Sequence, residues 1–318
     1  MGKMINTVNG PMDVENMGVT LMHEHVLQAN WSMRMSYPHW FNYDEFIEYA
    51  TEDVKRTREI GVQTLVEQTP VCLGRDIHAI KDVADRTGMQ IIASTGFFYT
   101  ENQWLFGRSE ESLMECMWKD LNEGIQDTDI KPGLIKCGTD VAGITPVNRV
   151  LLNAHARFAK ESGLPLATHS YYGNRSGIGQ MEVFEQYELK PKKILIGHCG
   201  DTNDLGYLEE LLSHGCYIGL DRFGDDPKNP LKDRVNTLMK LCEDGWIDQL
   251  MISHDYVSFV DLGCFEWKDK RGTDPDDAVY NSRYIHRYVL PMLRELGVEE
   301  EGIQQLLVEN PRNFFTED

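Results

Sequence analysis

Apolar residues along the chain follow two rhythms: short continuous runs, and longer stretches where they recur every third or fourth position. The runs fall at 19–23, 63–67, 89–94, 133–136, 164–169, 193–198, 216–221 and 249–253, and they read as short buried strands. The stretches between them read as helices, at 43–60, 75–87, 110–125, 146–162, 180–187, 204–214, 230–244 and 276–296. Local punctuation agrees. Asn42 and Ser109 stand where N-caps belong, Thr145-Pro146 supplies a cap and a proline at the first helical position, and Gly61, Gly88, Gly163 and Gly215 follow helix ends. Pro291 should kink the helix at 276–296. A last helix at 299–309 should end at Asn310-Pro311. Residues 1–18 read as a short, turn-rich entry, and 30–43 and 97–108 as aromatic loops.

Eight strands, each followed by a helix, predict one α/β domain over residues 1–318. The expected fold is a (β/α)8 TIM barrel with a short N-terminal extension and an extra C-terminal helix. A doubly wound sheet is the alternative. It would want a glycine-rich phosphate loop after the first strand, where this chain has His23-Glu24-His25.

In such a barrel, reactive residues collect at the C-terminal ends of the strands. The first strand brings His23 and His25 there, the fourth Lys136, the fifth His169 and the sixth His198; Asp255 follows the eighth. On a strand, His23 and His25 share a face and Glu24 points away. With ten histidines in the chain, one His-x-His pair is a weak signal. Four histidines and an aspartate on one rim are stronger, because they are standard ligands of borderline divalent metals. Lys136 is the odd member. An ammonium buried in a barrel mouth is costly without a partner, and a salt bridge to Asp140 or Asp221 is its plain explanation. Converted by CO2 to an anionic carbamate, it could instead bridge two metals. Cys137 and Cys199 follow ligand positions, so they face away and are read as packing residues. His39, His78, His155, His214 and His286 fall in helices or loops and receive no role.

Composition narrows the function. The formal net charge is −20, which works against nucleic-acid binding and attraction to anionic lipid and favours a small neutral substrate. No apolar stretch approaches the length of a membrane span, and no secretory signal is visible at the start. Seven scattered cysteines without a Cys-x-x-Cys pair suit free thiols in a reducing cytoplasm.

Several motifs together carry a resemblance: His23-Glu24-His25, Ile135-Lys136-Cys137, Thr168-His169, Gly197-His198-Cys199-Gly200-Asp201-Thr202, Gly219-Leu220-Asp221-Arg222-Phe223-Gly224, Ser253-His254-Asp255 and the closing Leu307-Val308-Glu309-Asn310-Pro311-Arg312-Asn313-Phe314-Phe315. Over nearly its whole length the chain resembles the phosphotriesterase family of the amidohydrolase superfamily, and within it the phosphotriesterase-like lactonases. The resemblance implies two divalent ions, usually zinc, with cobalt, iron or manganese able to substitute. It implies that His23, His25 and Asp255 hold the buried ion and His169 and His198 the exposed one. Lys136, as N6-carboxylysine, and a hydroxide would bridge them, with Asp255 doubling as proton acceptor. It also implies homodimers with early loops at the interface, with which Trp31 and Trp40 are compatible.

Arg222 matches an arginine common in the lactonase branch; a salt bridge to Asp225 or Asp226 is the plainer reading. Where that branch places a tyrosine near the metals, this chain has Phe98, with Tyr99 beside it. Residues 255–276 read as the eighth loop, whose Phe259, Phe265 and Trp267 are expected to line an acyl pocket. Lys228, Lys268, Lys270 and Arg271 are read as surface charge or as contacts for a phosphorylated sugar lactone. The expected activity is lactone opening, N-acyl-homoserine lactones included, with organophosphate triester hydrolysis as a side reaction. A phosphotriesterase or a phosphorylated sugar lactonase is the alternative, and a non-catalytic metal-binding barrel is the alternative from another class.

Overall fold

The structure, a computed structural model, describes residues 2–261 and 281–316. Strands β1 (Met4–Thr7) and β2 (Gly10–Asp13) pair as an antiparallel hairpin. Nine further strands follow: β3 (Thr20–Gln28), β4 (Thr64–Glu67), β5 (Gln90–Gly96), β6 (Leu134–Gly138), β7 (Leu166–His169), β8 (Ile194–Ile196), β9 (Tyr217–Leu220), β10 (Leu250–Ile252) and β11 (Tyr256–Val260). They form one parallel sheet in the order β10-β9-β8-β7-β6-β5-β4-β3-β11. The two outermost members are consecutive in the chain. Residues 253–255 interrupt what is otherwise one strand, and they close the sheet on itself: Ser253 Oγ accepts from the His23 N–H at 3.0 Å, and the Asp255 N–H donates to the His23 carbonyl at 2.9 Å. The result is the expected α/β barrel.

The barrel interior can be read from its packing. One apolar cluster takes a single residue from each of eight strand positions: Met22, Val66, Ile92, Leu134, Ala167, Leu195, Tyr217 and Met251. Because side chains alternate along a strand, the residue two places on from Leu134 or Ala167 also faces inward, and those residues are Lys136 and His169. Ile5, Met12, Val14 and Met17 from the N-terminal hairpin and the turn after it, with Phe314 and Phe315 from the C-terminal helix, join the same cluster. They plug the end where the strands begin, as the bond from Asn6 Nδ2 to the Pro132 carbonyl, just before β6, shows. The larger cluster lies between strands and helices.

The differences from expectation are local. The entry is a hairpin, and residues 31–36 are a short helix. The helix expected at 180–187 is Ser176–Gln186. Strand β3 runs on to Gln28, past both histidines. Its register against β4 shifts between Leu21 and Glu24, a bulge that lets Met22, His23 and His25 all face inward although simple alternation forbids it. The chain does not stop at Pro311. A wide π turn at Gln305–Glu309 leads into a helix at Asn310–Thr316, and a second π turn at Ile285–Val289 precedes Pro291. A π turn shifts the carbonyl that the proline ring would strike, so the helix continues.

Candidate metal centre

His23, His25 and Asp255 are brought together so that one donor atom of each lies within 4.8 Å of the others. His25 Nε2 is 3.0 Å and His23 Nε2 3.4 Å from the same atom, Asp255 Oδ1. Lys136 Nζ reaches His23 Nε2 at 3.1 Å and donates to Gln68 Oε1 at 2.7 Å. Its bonds therefore go to an imidazole and an amide, and not to Asp140 or Asp221 as its plain reading required. His198 stacks on His23 with ring centroids 5.0 Å apart, and its Nδ1 is 3.8 Å from Asp255 Oδ2. His169 packs edge-on against His198 at 4.2 Å, and its Nε2 faces Asp140 at 3.3 Å.

Hydrogen bonds behind His23, His25 and His198 fix which nitrogen each ring, when neutral, presents. Glu67 Oε1 accepts from the Thr69 hydroxyl at 2.6 Å, so Thr69 Oγ1 is left to accept from His25 Nδ1 at 2.8 Å. His25 Nε2 then carries a lone pair. Asp221 does the same for two rings: its Oδ2 takes His23 Nδ1 at 2.6 Å and its Oδ1 takes His198 Nδ1 at 3.0 Å and the His198 N–H at 2.8 Å. Carboxylates behind metal-binding imidazoles have this effect generally.

Electrostatics agree. Burial, with the Lys136 charge next, lowers the His23 pKa to about 4, so the ring is neutral at pH 7. Burial likewise lowers His169, and pushes His198 well below its ordinary range. Burial would raise Asp255, but the facing His23 and the Arg222 guanidinium hold it well below the usual carboxylate range. His23 Nε2, His25 Nε2 and Asp255 Oδ1 thus gather on one point, with the Lys136 nitrogen 3.1 Å from His23 Nε2. Two imidazoles and a carboxylate oxygen in this arrangement fit a divalent ion, and Asp255 Oδ2 also reaches toward His198. Burial also brings Lys136 down to about 8, giving a neutral amine fraction near neutrality that can add to CO2.

Arg222 donates from Nε to Asp255 Oδ2 at 2.8 Å and from Nη1 to Asp201 Oδ2 at 2.6 Å. Its partners are these, in place of the expected Asp225 or Asp226. Arg234 Nη2 holds Asp201 from behind at 3.0 Å. Phe98 and Tyr99 both lie against His169, with ring centroids 5.2 and 4.8 Å away. Burial raises the Tyr99 pKa, and the Asp140 carboxylate that its hydroxyl faces raises it further. Phe259 is a correction: it does not line the site. Residues 256–260 are strand, not loop, and Phe259 is buried on the outer side against Phe41 and Phe46 at 5.4 and 5.2 Å. Trp267, with Phe265, Lys268, Lys270 and Arg271, lies outside the described residues. Cys137 and Cys199 are buried free thiols, as expected of packing residues. Gln68 carries no signal in the sequence, and Asp140 and Asp221 are expected there only as partners of Lys136, although Asp221 ends a strand as visibly as His198 does.

A parallel barrel with imidazoles and a carboxylate converging at the C-terminal rim is the architecture of a metal-dependent hydrolase. A profile of the phosphotriesterase family matches residues 3–315, and the chain belongs to that family. It is 36% identical to a phosphotriesterase homology protein of Mycobacterium tuberculosis over 98% of this chain and 97% of that one. It is also 36% identical to an aryldialkylphosphatase of Saccharolobus solfataricus, over 96% and 97%. A phospho-furanose lactonase of Mycoplasmopsis agalactiae is 25% identical over 99% and 92%. The solved structure of the phosphotriesterase from Mycobacterium tuberculosis superposes with a TM-score of 0.90 at 35% identity, covering 99% of this chain and 98% of that chain.

Proposed function

We propose that the chain is a lactonase that works through a pair of divalent ions, zinc in the first instance, and that it hydrolyses organophosphate triesters as a side reaction. The observation that carries this reading is the convergence of His23, His25 and Asp255 on one point with Lys136, His198 and His169 packed around it. His23, His25 and Asp255 would hold one ion and His169 and His198 the other, with carboxylated Lys136 between them. Bound there, the ions supply an acidified water and polarise the substrate's ester oxygen.

The chain's own residues do the rest. Asp255 accepts the proton of the attacking water. Arg222 pins Asp255 Oδ2 and, always protonated, carries no proton itself. Phe98 and Tyr99 wall the mouth beside His169, where an acyl chain would lie. A neutral lactone, N-acyl-homoserine lactones included, is preferred to a phosphorylated one because a net charge of −20 gives an anionic substrate no long-range attraction. Among the described residues, the cations of this site are Lys136 and Arg222, and both are already bonded within the protein. The whole of 1–318 would act as one hydrolase domain, and exposed Trp31, Met35, Tyr37 and Trp40 support a homodimer.

A proton-release assay across γ- and δ-lactones, phosphorylated sugar lactones and paraoxon-like triesters, with metal content measured in parallel, tests this. Lactones should turn over fastest in protein holding about two ions per chain. A preference for triesters or phosphorylated lactones would replace the substrate assignment. Activity unchanged after chelation would overturn the mechanism.

A further inference from the structure

Glu24 stands between the two histidines of the first strand, buried, with its carboxylate turned away from them. It is spent on one short segment. Oε1 accepts from the Ser253 hydroxyl at 2.8 Å, the His254 N–H at 3.0 Å and His254 Nδ1 at 2.7 Å; Oε2 accepts from the Tyr256 N–H at 3.1 Å. His254 Nε2 accepts the Ile285 N–H at 3.1 Å, so Nδ1 carries the proton and truly donates to Glu24. The residues gripped are 253, 254 and 256. The residue they flank is Asp255, whose backbone is left-handed, φ +54°. For a residue other than glycine that conformation is disfavoured and persists only where the surroundings impose it.

We infer that Glu24 is the positioning residue that holds Asp255 in this strained turn, and so sets where its carboxylate meets His23 and His25. The coupling is direct in the fold. Glu24 pairs with Tyr256 in the β3–β11 register, and the Asp255 N–H bonds the His23 carbonyl next to it. One strand thus presents two imidazoles on one face and, from the residue between them, fixes the carboxylate that completes their site. Glutamine cannot replace Glu24 here. All four groups facing it are donors, and a glutamine amide would oppose at least one of them with a donor of its own.

The inference rests on the reading of Asp255 as a metal ligand, and the test separates the two. Zinc affinity is measured by competition with a chromophoric chelator, alongside thermal unfolding of the metal-free protein. Glu24→Gln should weaken binding of the tighter ion on the order of 10–100-fold. In an Asp255→Asn background the same substitution should have no further effect, since it acts through that side chain. A residue that only braces the barrel would lower the unfolding temperature and leave zinc affinity at 25 °C alone; affinity within about twofold of the parent would therefore overturn the inference. If Glu24→Gln does not fold, His254→Leu removes one of the four donors. It should cost several-fold in affinity in the parent and nothing in Asp255→Asn, and equal losses in both backgrounds would sink the idea. If Asp255→Asn itself keeps zinc, the ligand assignment fails, and not the positioning argument alone.

Discussion

Asp221 shows how much of the candidate metal site depends on one carboxylate that joins its histidines. One buried carboxylate takes the Nδ1 protons of His23 and His198, and with them sets both rings' tautomer and tilt. Asp221→Asn must turn an NH2 toward one of those rings. The amide and the ring Nδ1–H cannot both donate, so the ring rotates or its tautomer flips and Nε2 is lost as a ligand atom. Zinc affinity or activity should fall about 10–100-fold with the fold intact, which titration with a metal-sensitive dye and a circular dichroism spectrum would check. At this scale the sequence is informative about residues whose type is constrained by chemistry. His23, His25, His169, His198, Lys136 and Asp255 stand at strand ends, where a barrel collects its reactive groups. Their supporters are harder to see. Thr69 and Gln68 are ordinary polar residues in the sequence, and only the folded barrel, with β3, β4 and β6 converging at its mouth, gives them His25 and Lys136 as partners.

Elements show the same division. Strand positions were legible because buried parallel strands are apolar throughout, and helix ends because caps and glycines mark them. Bulges and π turns were not, since each is a compromise between neighbouring elements: the shift in β3, the wide turns ahead of Pro291 and Pro311, and the strand that carries Phe259 away from the mouth. The end of β5 is another such place. Gly96 has φ +116°, and a Cβ there would lie 2.3 Å from the Lys136 carbonyl and 2.8 Å from His155 Nε2. Gly96→Ala should therefore destabilise by about 1–3 kcal/mol in urea unfolding, and shift the Phe98-Tyr99 loop enough to raise KM. His155, given no role from sequence, anchors that loop. Its Nδ1 donates to the Leu151 carbonyl and its Nε2 accepts the Phe97 N–H at 2.9 Å. Burial lowers its pKa from 6.5 to about 4. The folded state thus favours the neutral ring. The resulting stability is complete above pH 6.5 and is lost as pH falls toward 4, by up to roughly 3 kcal/mol. His155→Gln, which has the same donor and acceptor to offer, should flatten this part of the pH–stability curve relative to the parent.

Across the whole molecule, the barrel is apolar at one end and polar at the other. Where the strands begin, the hairpin and Phe314 and Phe315 fill the interior with apolar side chains. Where they end, the interior holds neutral imidazoles, an ionised aspartate and a lysine whose burial opposes its charge. His198 and Asp255 both sit there with positive φ, at 62° and 54°. The candidate ligands stand far apart in the chain and come together only in the folded state. Metal binding should therefore appear as folding free energy. With zinc at about a thousand times its dissociation constant, the gain is on the order of 4 kcal/mol per site. Removing it by dialysis against a chelator should lower Tm by roughly 10 °C or more, at the few degrees per kcal/mol expected for a chain of this size. Zinc should restore Tm, and the concentration that does so should match the one that restores turnover. In Asp255→Asn the metal-dependent part of Tm should shrink, and the Tm of the metal-free protein should fall as well, because the facing His23 and Arg222 favour the ionised carboxylate in the folded state. A metal-free Tm that rose with Asp255→Asn would instead mean that burying the charge costs more than its pairing with Arg222 returns, and that the rim carries strain for metal to relieve.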